Sequence, residues 1–268
     1  LYEHLPAFNP VDDEGRTACL KVALAELLLS GVTTVIDLSA PFDGWLDALA
    51  ESGIRAVAAP FFRDARWYTT DGHSLSYDWN EKAGREAFER ACRLIELARQ
   101  HPSGRLDGVV SPSQVDTCGE ALLRDSHAYA IERNLPWTIH AAQSVTEFHE
   151  MQRRHGVSPI QWLADIGVLD NRSVIAHCIF LDSHPWLHWT TDRDLGLMTE
   201  RGATVAHCPT VFSRRGIALN TLGRYLCAGV NVGIGTDTYP HNMLDEMRTA
   251  ANAARLVGQT VADVAFSD

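Results

Sequence analysis

The chain has 268 residues, and 46% of them are hydrophobic. This length is compatible with one or two domains, and α/β barrels often occupy about 250 residues as one domain. Acidic residues outnumber basic ones by 34 to 23, which gives a formal net charge of −11. This balance argues against nucleic acid or an anionic membrane as a partner, because both require basic patches. A small molecule remains as the expected partner.

The most apolar stretch, residues 20–40, is interrupted by Lys21, Glu26 and Asp37. A transmembrane helix needs about 20 mostly uncharged residues, so none is predicted there. The six cysteines are scattered without CxxC pairs, which is typical of reduced thiols in a cytoplasmic protein. We therefore expect a cytoplasmic location.

In chain order, β-rich apolar segments alternate with segments of helical spacing. The predicted strands are residues 32–39, 55–62, 106–113, 136–142, 173–180, 204–209 and 231–237. A helix over about residues 18–29 precedes them, and one over about residues 242–256 follows. Phe88, Cys92 and Ile95 have helical spacing. Ser144 and Glu147 form a capping-box pattern, which predicts a helix start directly after the fourth strand.

Strands that alternate with helices predict βαβ units and a parallel sheet. A (βα)8 barrel of the TIM type needs eight strands, and the chain supplies seven between two helices. We therefore predict one α/β barrel domain over residues 1–268 that contains strands two to eight and lacks the first. A doubly wound open sheet is the alternative, although no GxGxxG motif follows the first strand.

Polar residues occupy the ends of four successive predicted strands: His140, His177, His207 and Asp237. Taken singly, each histidine could be a hydrogen-bonded structural residue, and Asp237 could cap the following helix. Taken together, they would converge at the carboxyl edge of one sheet, where barrel enzymes place their chemistry. Imidazole and carboxylate groups suit Zn²⁺ or Fe²⁺. We predict that His140, His177 and Asp237 form a metal site, with His207 as a metal or substrate contact.

Arg63, Trp67 and Tyr68 follow the second predicted strand. We treat Arg63 and Trp67 as candidate substrate contacts, with loop packing as the alternative.

The motif segments at residues 30–37, 176–178, 206–209 and 229–238 resemble the amidohydrolase superfamily. More narrowly, they resemble its cytosine deaminase and chlorohydrolase-like branch, which contains guanine deaminase, S-adenosylhomocysteine and methylthioadenosine deaminases and s-triazine hydrolases. The resemblance extends over nearly the whole chain. It implies a divalent metal, usually zinc or iron, and commonly a homodimer.

The resemblance also implies the role of each residue. His140 and Asp237 correspond to the family's metal ligands on strands five and eight. His177 corresponds to the strand-six histidine that orients the attacking water and stabilises developing charge. Asp237 would accept the proton of that water.

Two departures from the family pattern matter. The family carries an HxH metal-binding pair on strand one, and none occurs in the 268 residues. This fits the missing first strand, so we expect an internal piece of a longer protein without the flanking β-sandwich.

The second departure is Gln143, three residues after His140, where the family's deaminases carry a proton-donating glutamate. A neutral amide donates a hydrogen bond but supplies no proton.

The sequence thus predicts a metal-dependent hydrolase that cleaves non-peptide C–N bonds of a small heterocyclic substrate by means of an activated water. Hydrolysis of another leaving group, in the manner of a chlorohydrolase, is one alternative. A barrel that has lost catalysis and acts as a binding module is the other.

Overall fold

A computed structural model describes residues 12–264 of the chain. It contains two compact units, one ending at Trp137 and the other beginning at Thr138. None of the helices within residues 12–264 is both long and apolar enough to cross a membrane.

The secondary structure alternates along the described chain. The helices are α1 (Asp13–Leu29), α2 (Trp45–Glu51), α3 (Glu81–Arg99), α4 (Glu120–Arg133), α5 (Val145–His155), α6 (Pro159–Asp165), α7 (Asp194–Arg201), α8 (Pro209–Ser213), α9 (Leu222–Cys227) and α10 (Met243–Gly258). The strands are β1 (Thr34–Asp37), β2 (Arg55–Ala58), β3 (Phe61–Phe62), β4 (Ala65–Tyr68), β5 (Ser76–Trp79), β6 (Leu106–Gly108), β7 (Ser111–Pro112), β8 (Trp137–Ala141), β9 (Ser173–His177), β10 (Thr204–His207) and β11 (Asn231–Ile234).

The first unit is built on a parallel sheet in the order β1-β2-β6. Apolar side chains of α1 and α2 pack with those of β2 and β6 in one core cluster, which includes Leu24, Trp45 and Leu49. The indole Nε1 of Trp45 donates a hydrogen bond of 2.7 Å to Asp37 at the end of β1. This bond satisfies the polar atom of a tryptophan that is otherwise fully buried.

Helix α3 shows why these segments are helical. Phe88 and Ile95 are buried on one face, and Cys92 is partly buried beside them, as the spacing predicts. The Asn80 side chain caps the first turn through the N–H of Ala83, and Arg99 lies in the last turn, where its charge complements the helix dipole.

The second unit contains a parallel sheet in the order β11-β10-β9-β8. Residues in register include Ala206 with Ala176 on β9 and His207 with Ile234 on β11. Helices α5, α6 and α7 contribute buried apolar side chains, among them Phe148, Leu163 and Met198. All residues of β8 except His140 are buried.

Each predicted strand segment contains a strand, but the observed strands are shorter. The segment 55–62 divides into β2 and β3 around Pro60, which has no N–H to donate to a ladder. The segment 106–113 divides likewise into β6 and β7, and β3 pairs with β7. The two expected flanking helices are α1, which begins earlier at its Asp12 cap, and α10.

The prediction of an α/β fold with parallel strands is confirmed. The strands between residues 12 and 264 belong to four separate sheets and do not form one closed ring, so the closed barrel is not observed. The antiparallel hairpin β4-β5 was not expected, and it places Trp67 within a strand rather than in a loop. The prediction of one domain over residues 1–268 stays a prediction.

Candidate active site

The four polar residues predicted at strand ends lie at the carboxyl edge of the second unit's sheet. His140 is the fourth residue of β8, and His177 and His207 are the last residues of β9 and β10. Asp237 follows β11 by three residues. Because parallel strands present their carboxyl ends at one edge of the sheet, residues at the ends of successive strands lie near one another although they are far apart in the sequence.

Three of these residues lie close together. The imidazole rings of His140 and His177 lie 5.2 Å apart between centroids. His177 Nε2 lies 4.0 Å from Asp237 Oδ2, and the centroids of the His177 and Phe212 rings lie 4.7 Å apart in an edge-to-face arrangement. His207 lines a neighbouring cavity whose other lining residues, including Phe212, are apolar. The sequence held no signal for Phe212, because α8 is too short to show a helical period.

The electrostatics keep the buried imidazoles neutral at pH 7. Burial, reinforced by His140 and His207, holds the pKa of His177 well below its ordinary value. Burial lowers the pKa of His207 to about 4. Burial raises the pKa of the Asp237 carboxyl, and His140 acts in the opposite direction. Neutral imidazole is the form that binds metal ions and accepts hydrogen bonds.

The backbone is strained at the same edge. His177 has φ = +73° and Asp237 has φ = +55°, while Ala142 and Cys178 have φ = +53° and +50°. Left-handed conformations of residues other than glycine cost of order 1–3 kcal/mol and cluster at functional sites. Here the strain lies at or beside the residues that the sequence singled out.

The loop between β8 and α5 carries Gln143. Ser144 caps α5 by accepting a hydrogen bond of 3.1 Å from the N–H of Glu147, which confirms the predicted helix start. The Glu147 carboxylate, which is 2% exposed, extends beyond this cap. It accepts from the N–H of Ala142 at 2.6 Å and from the N–H of Gln143 at 3.3 Å. The capping-box interpretation of Glu147 is therefore incomplete.

A divalent metal fits this group of residues in donor chemistry. Nδ1 of His177 and Nδ1 of His207 are buried and have no hydrogen-bond partner among the described residues. Imidazole nitrogen and carboxylate oxygen are the ligands that zinc and iron accept. Within residues 12–264, no three His, Cys, Asp or Glu side chains are arranged to hold a metal ion by themselves. The residues therefore fit as part of a coordination shell.

Arg63 and Trp67 belong to the first unit, where Trp67 has a structural partner. Trp67 Nε1 donates a hydrogen bond of 2.9 Å to Asp116 Oδ2, and the Tyr77 hydroxyl donates to the same oxygen at 2.7 Å. Asp116 is fully buried, and no motif in the sequence indicated it. Burial lowers the pKa of Arg63. The expectation that Arg63 and Trp67 contact a substrate stays a prediction.

The sequence has deaminases among its relatives. It is 33% identical over 230 residues to 5-methylthioadenosine/S-adenosylhomocysteine deaminase of Thermococcus kodakarensis, covering 84% of this chain and 49% of that protein. It is 28% identical over 244 residues to 5-methylthioadenosine/S-adenosylhomocysteine deaminase 2 of Archaeoglobus fulgidus, covering 90% and 53%. The chain thus spans about half the length of these relatives.

Solved structures show a similar fold. An adenosine deaminase from Xanthomonas campestris with bound zinc matches with a TM-score of 0.76 and 24% identity, over 94% of this chain and 54% of that chain. Guanine deaminase from C. acetobutylicum matches with a TM-score of 0.73 and 19% identity, over 95% and 61%. Residues 3–267 match the Amidohydrolase family. The chain belongs to that family.

Proposed function

We propose that the protein is a metal-dependent hydrolase that displaces the amino group from a ring carbon of a purine-type heterocycle. The observation that carries this proposal is the grouping of His140, His177 and Asp237 at one sheet edge. The 33% identity to a deaminase of adenosine derivatives supports the substrate class.

His140, His177 and Asp237 would have different roles in metal binding and in the activation of water. His140 and Asp237 would hold the metal, which when bound lowers the pKa of a water molecule to about 7. Zinc is our first choice, because the similar adenosine deaminase binds it. Asp237 would accept a proton from the attacking water, and neutral His177 would orient that water through Nε2.

Gln143 determines which leaving group the site can expel. In our proposal its side-chain amide donates a hydrogen bond to the substrate ring. The proton that the departing amine requires would come from Asp237, which would have accepted it from the attacking water. A second candidate function follows from the same residue: displacement of a leaving group, such as chloride, that requires little protonation. A binding module without catalysis is the third possibility, since the chain has no HxH pair.

Three finer points extend the proposal: the barrel, the substrate contacts and the oligomeric state. We infer a TIM-type barrel from the likeness to the solved deaminases. Substrate contacts from His207, Arg63 and Trp67 stay predictions, as does a homodimer.

The test is made on the whole protein. Zinc content is measured before and after chelation, together with ammonia release from 5′-methylthioadenosine and S-adenosylhomocysteine and chloride release from a chlorinated triazine. We expect zinc-dependent ammonia release that His140→Ala and Asp237→Ala abolish. His149→Ala, on the exposed side of α5, is the matched control and should retain turnover.

Full activity in either site variant would overturn the proposal. Chloride release alone would support the second function, and substrate binding without zinc or turnover would support the module.

A further inference from the structure

Buried carboxylates hold the three loops that follow the histidine-bearing strands. Each accepts a hydrogen bond from a backbone N–H of the segment that follows its strand, and each is at most 2% exposed. After β10 this N–H belongs to Thr210 in the first turn of α8. The pairs are Glu147 with Ala142 at 2.6 Å, Asp194 with Asp182 at 2.8 Å, and Glu246 with Thr210 at 3.0 Å. A buried carboxylate thus bonds the backbone after each of β8, β9 and β10.

Glu147 has the most direct connection to the site. The N–H that it holds belongs to Ala142, a fully buried residue with φ = +53°. The carbonyl of Ala142 accepts hydrogen bonds from Ile179 N at 2.8 Å and Phe180 N at 2.7 Å. These two amides belong to the loop that begins directly after His177. One residue, Ala142, therefore ties helix α5 to the loops at the ends of both β8 and β9.

The second oxygen of Glu147 accepts from the N–H of Gln143. Two consecutive amides thus share one carboxylate, and charge-assisted bonds of this kind are stronger than bonds between neutral groups. They offset the cost of the left-handed turn at Ala142 and set the direction in which Gln143 leaves the strand. Neither neighbouring loop could shift independently while these bonds are intact.

We propose that Glu147 is a positioning residue that sets the separation of His140 and His177 and the placement of Gln143. It acts through the Ala142 and Gln143 amides and touches no reacting atom. This inference rests on the proposed function. The alternative is that Glu147 only stabilises the first turn of α5.

The variants Glu147→Gln and Glu147→Ala in the whole protein distinguish these roles. Glutamine keeps an acceptor for one amide and is nearly isosteric, whereas alanine removes both acceptors. Glu150→Gln is the matched control, since Glu150 lies on the same helix and its carboxylate pairs with Arg153 and Arg154. The readouts are affinity for Zn²⁺, kcat and KM, and amide hydrogen exchange of residues 141–144 and 178–181.

We expect Glu147→Ala to weaken Zn²⁺ binding roughly tenfold or more, in the range seen for outer-shell substitutions. We expect kcat to fall more than KM rises, exchange to accelerate in both segments, and Glu147→Gln to be intermediate. Glu150→Gln should match the wild type in all readouts.

Wild-type Zn²⁺ affinity and kcat in both Glu147 variants would overturn the positioning role. If the wild type binds no zinc and has no turnover, the proposed function fails. Amide hydrogen exchange tests the positioning role of Glu147 even if the protein binds no zinc. Exchange at residues 178–181 that is unchanged in both Glu147 variants would overturn that role.

Discussion

His177 Nε2, at the end of β9, and Asp237 Oδ2, in the loop after β11, face each other across 4.0 Å, and β10 separates the two strands in the sheet. This distance exceeds that of a direct hydrogen bond, about 2.7–3.2 Å. A shared water oxygen about 2.8 Å from each atom fits the gap, with an angle near 90° at the water. The pair is therefore suited to orient and deprotonate one water molecule.

Substitution of Asp237 by asparagine tests this arrangement. Asp237→Asn retains the shape of the side chain and removes its basicity, so we expect kcat for ammonia release to fall by at least about a hundredfold. Steady-state kinetics and the zinc content of the purified protein are the measurements. Asp192→Asn, whose exposed carboxylate pairs with Arg224, is the control and should behave as the wild type. Turnover of Asp237→Asn within twofold of the wild type would contradict the prediction.

Gln143→Glu should increase deamination. A carboxyl group at this position can supply the proton that an amide cannot, and general acid catalysis contributes on the order of a hundredfold or more. We expect kcat/KM for 5′-methylthioadenosine to rise by about that factor. Gln152→Glu introduces the same charge on α5 and should leave kcat/KM unchanged. If Gln143→Glu also has no effect, residue 143 does not limit the reaction.

The contribution of Asp194 to the stability of the protein should decrease as the pH rises towards neutrality. Burial and the adjacent Asp182 raise the pKa of Asp194 to about 7 from an ordinary value of 3.8. Between these values the folded protein keeps a proton that the unfolded chain has lost. The stabilisation is therefore complete below about pH 4 and is lost as the pH rises through about 7. The Asp194 contribution to the free energy of unfolding should fall by up to ~1.4 kcal/mol per pH unit in this interval.

Asp194→Asn provides the control, because its amide can still pair with the Ser158 hydroxyl and with the N–H of Asp182. Urea unfolding of both proteins from pH 5 to pH 8 yields the difference between their free energies of unfolding. That difference should shift in favour of the variant as the pH rises. A constant difference would show that Asp194 does not titrate in this interval.

Tyr225→Phe should destabilise the fold at the strained edge. The buried Tyr225 hydroxyl donates a hydrogen bond of 2.6 Å to the carbonyl of Cys178, the residue after His177. Its removal leaves that carbonyl without this donor and should lower the free energy of unfolding by about 1–3 kcal/mol. Tyr129→Phe is the comparison, since its partly exposed hydroxyl bonds Glu96 and water can replace it. Equal losses in the two variants, measured by urea unfolding, would contradict the argument.

Local patterns were sufficient to predict the parallel α/β organisation and the strand ends that carry His140 and His177. Apolar runs bounded by polar residues indicate strands, and that information lies within a few neighbouring positions. The hairpin β4-β5 escaped prediction because its exposed residues lack a clear alternation and its pairing joins segments separated by a polar loop. The division of two predicted segments likewise depended on which strands pair, although Pro60 marks one of the two breaks in the sequence.

The sequence by itself determined which donor groups stand at the carboxyl ends of the strands and that residue 143 is an amide. Only the tertiary structure decided how they are arranged: the 4.0 Å between His177 and Asp237, and the attachment of Glu147 to two amides of the preceding loop. Residue type is a local property of the chain. Distances, by contrast, follow from sheet order, burial and backbone conformations such as φ = +53° at Ala142, which arise only when distant segments pack together.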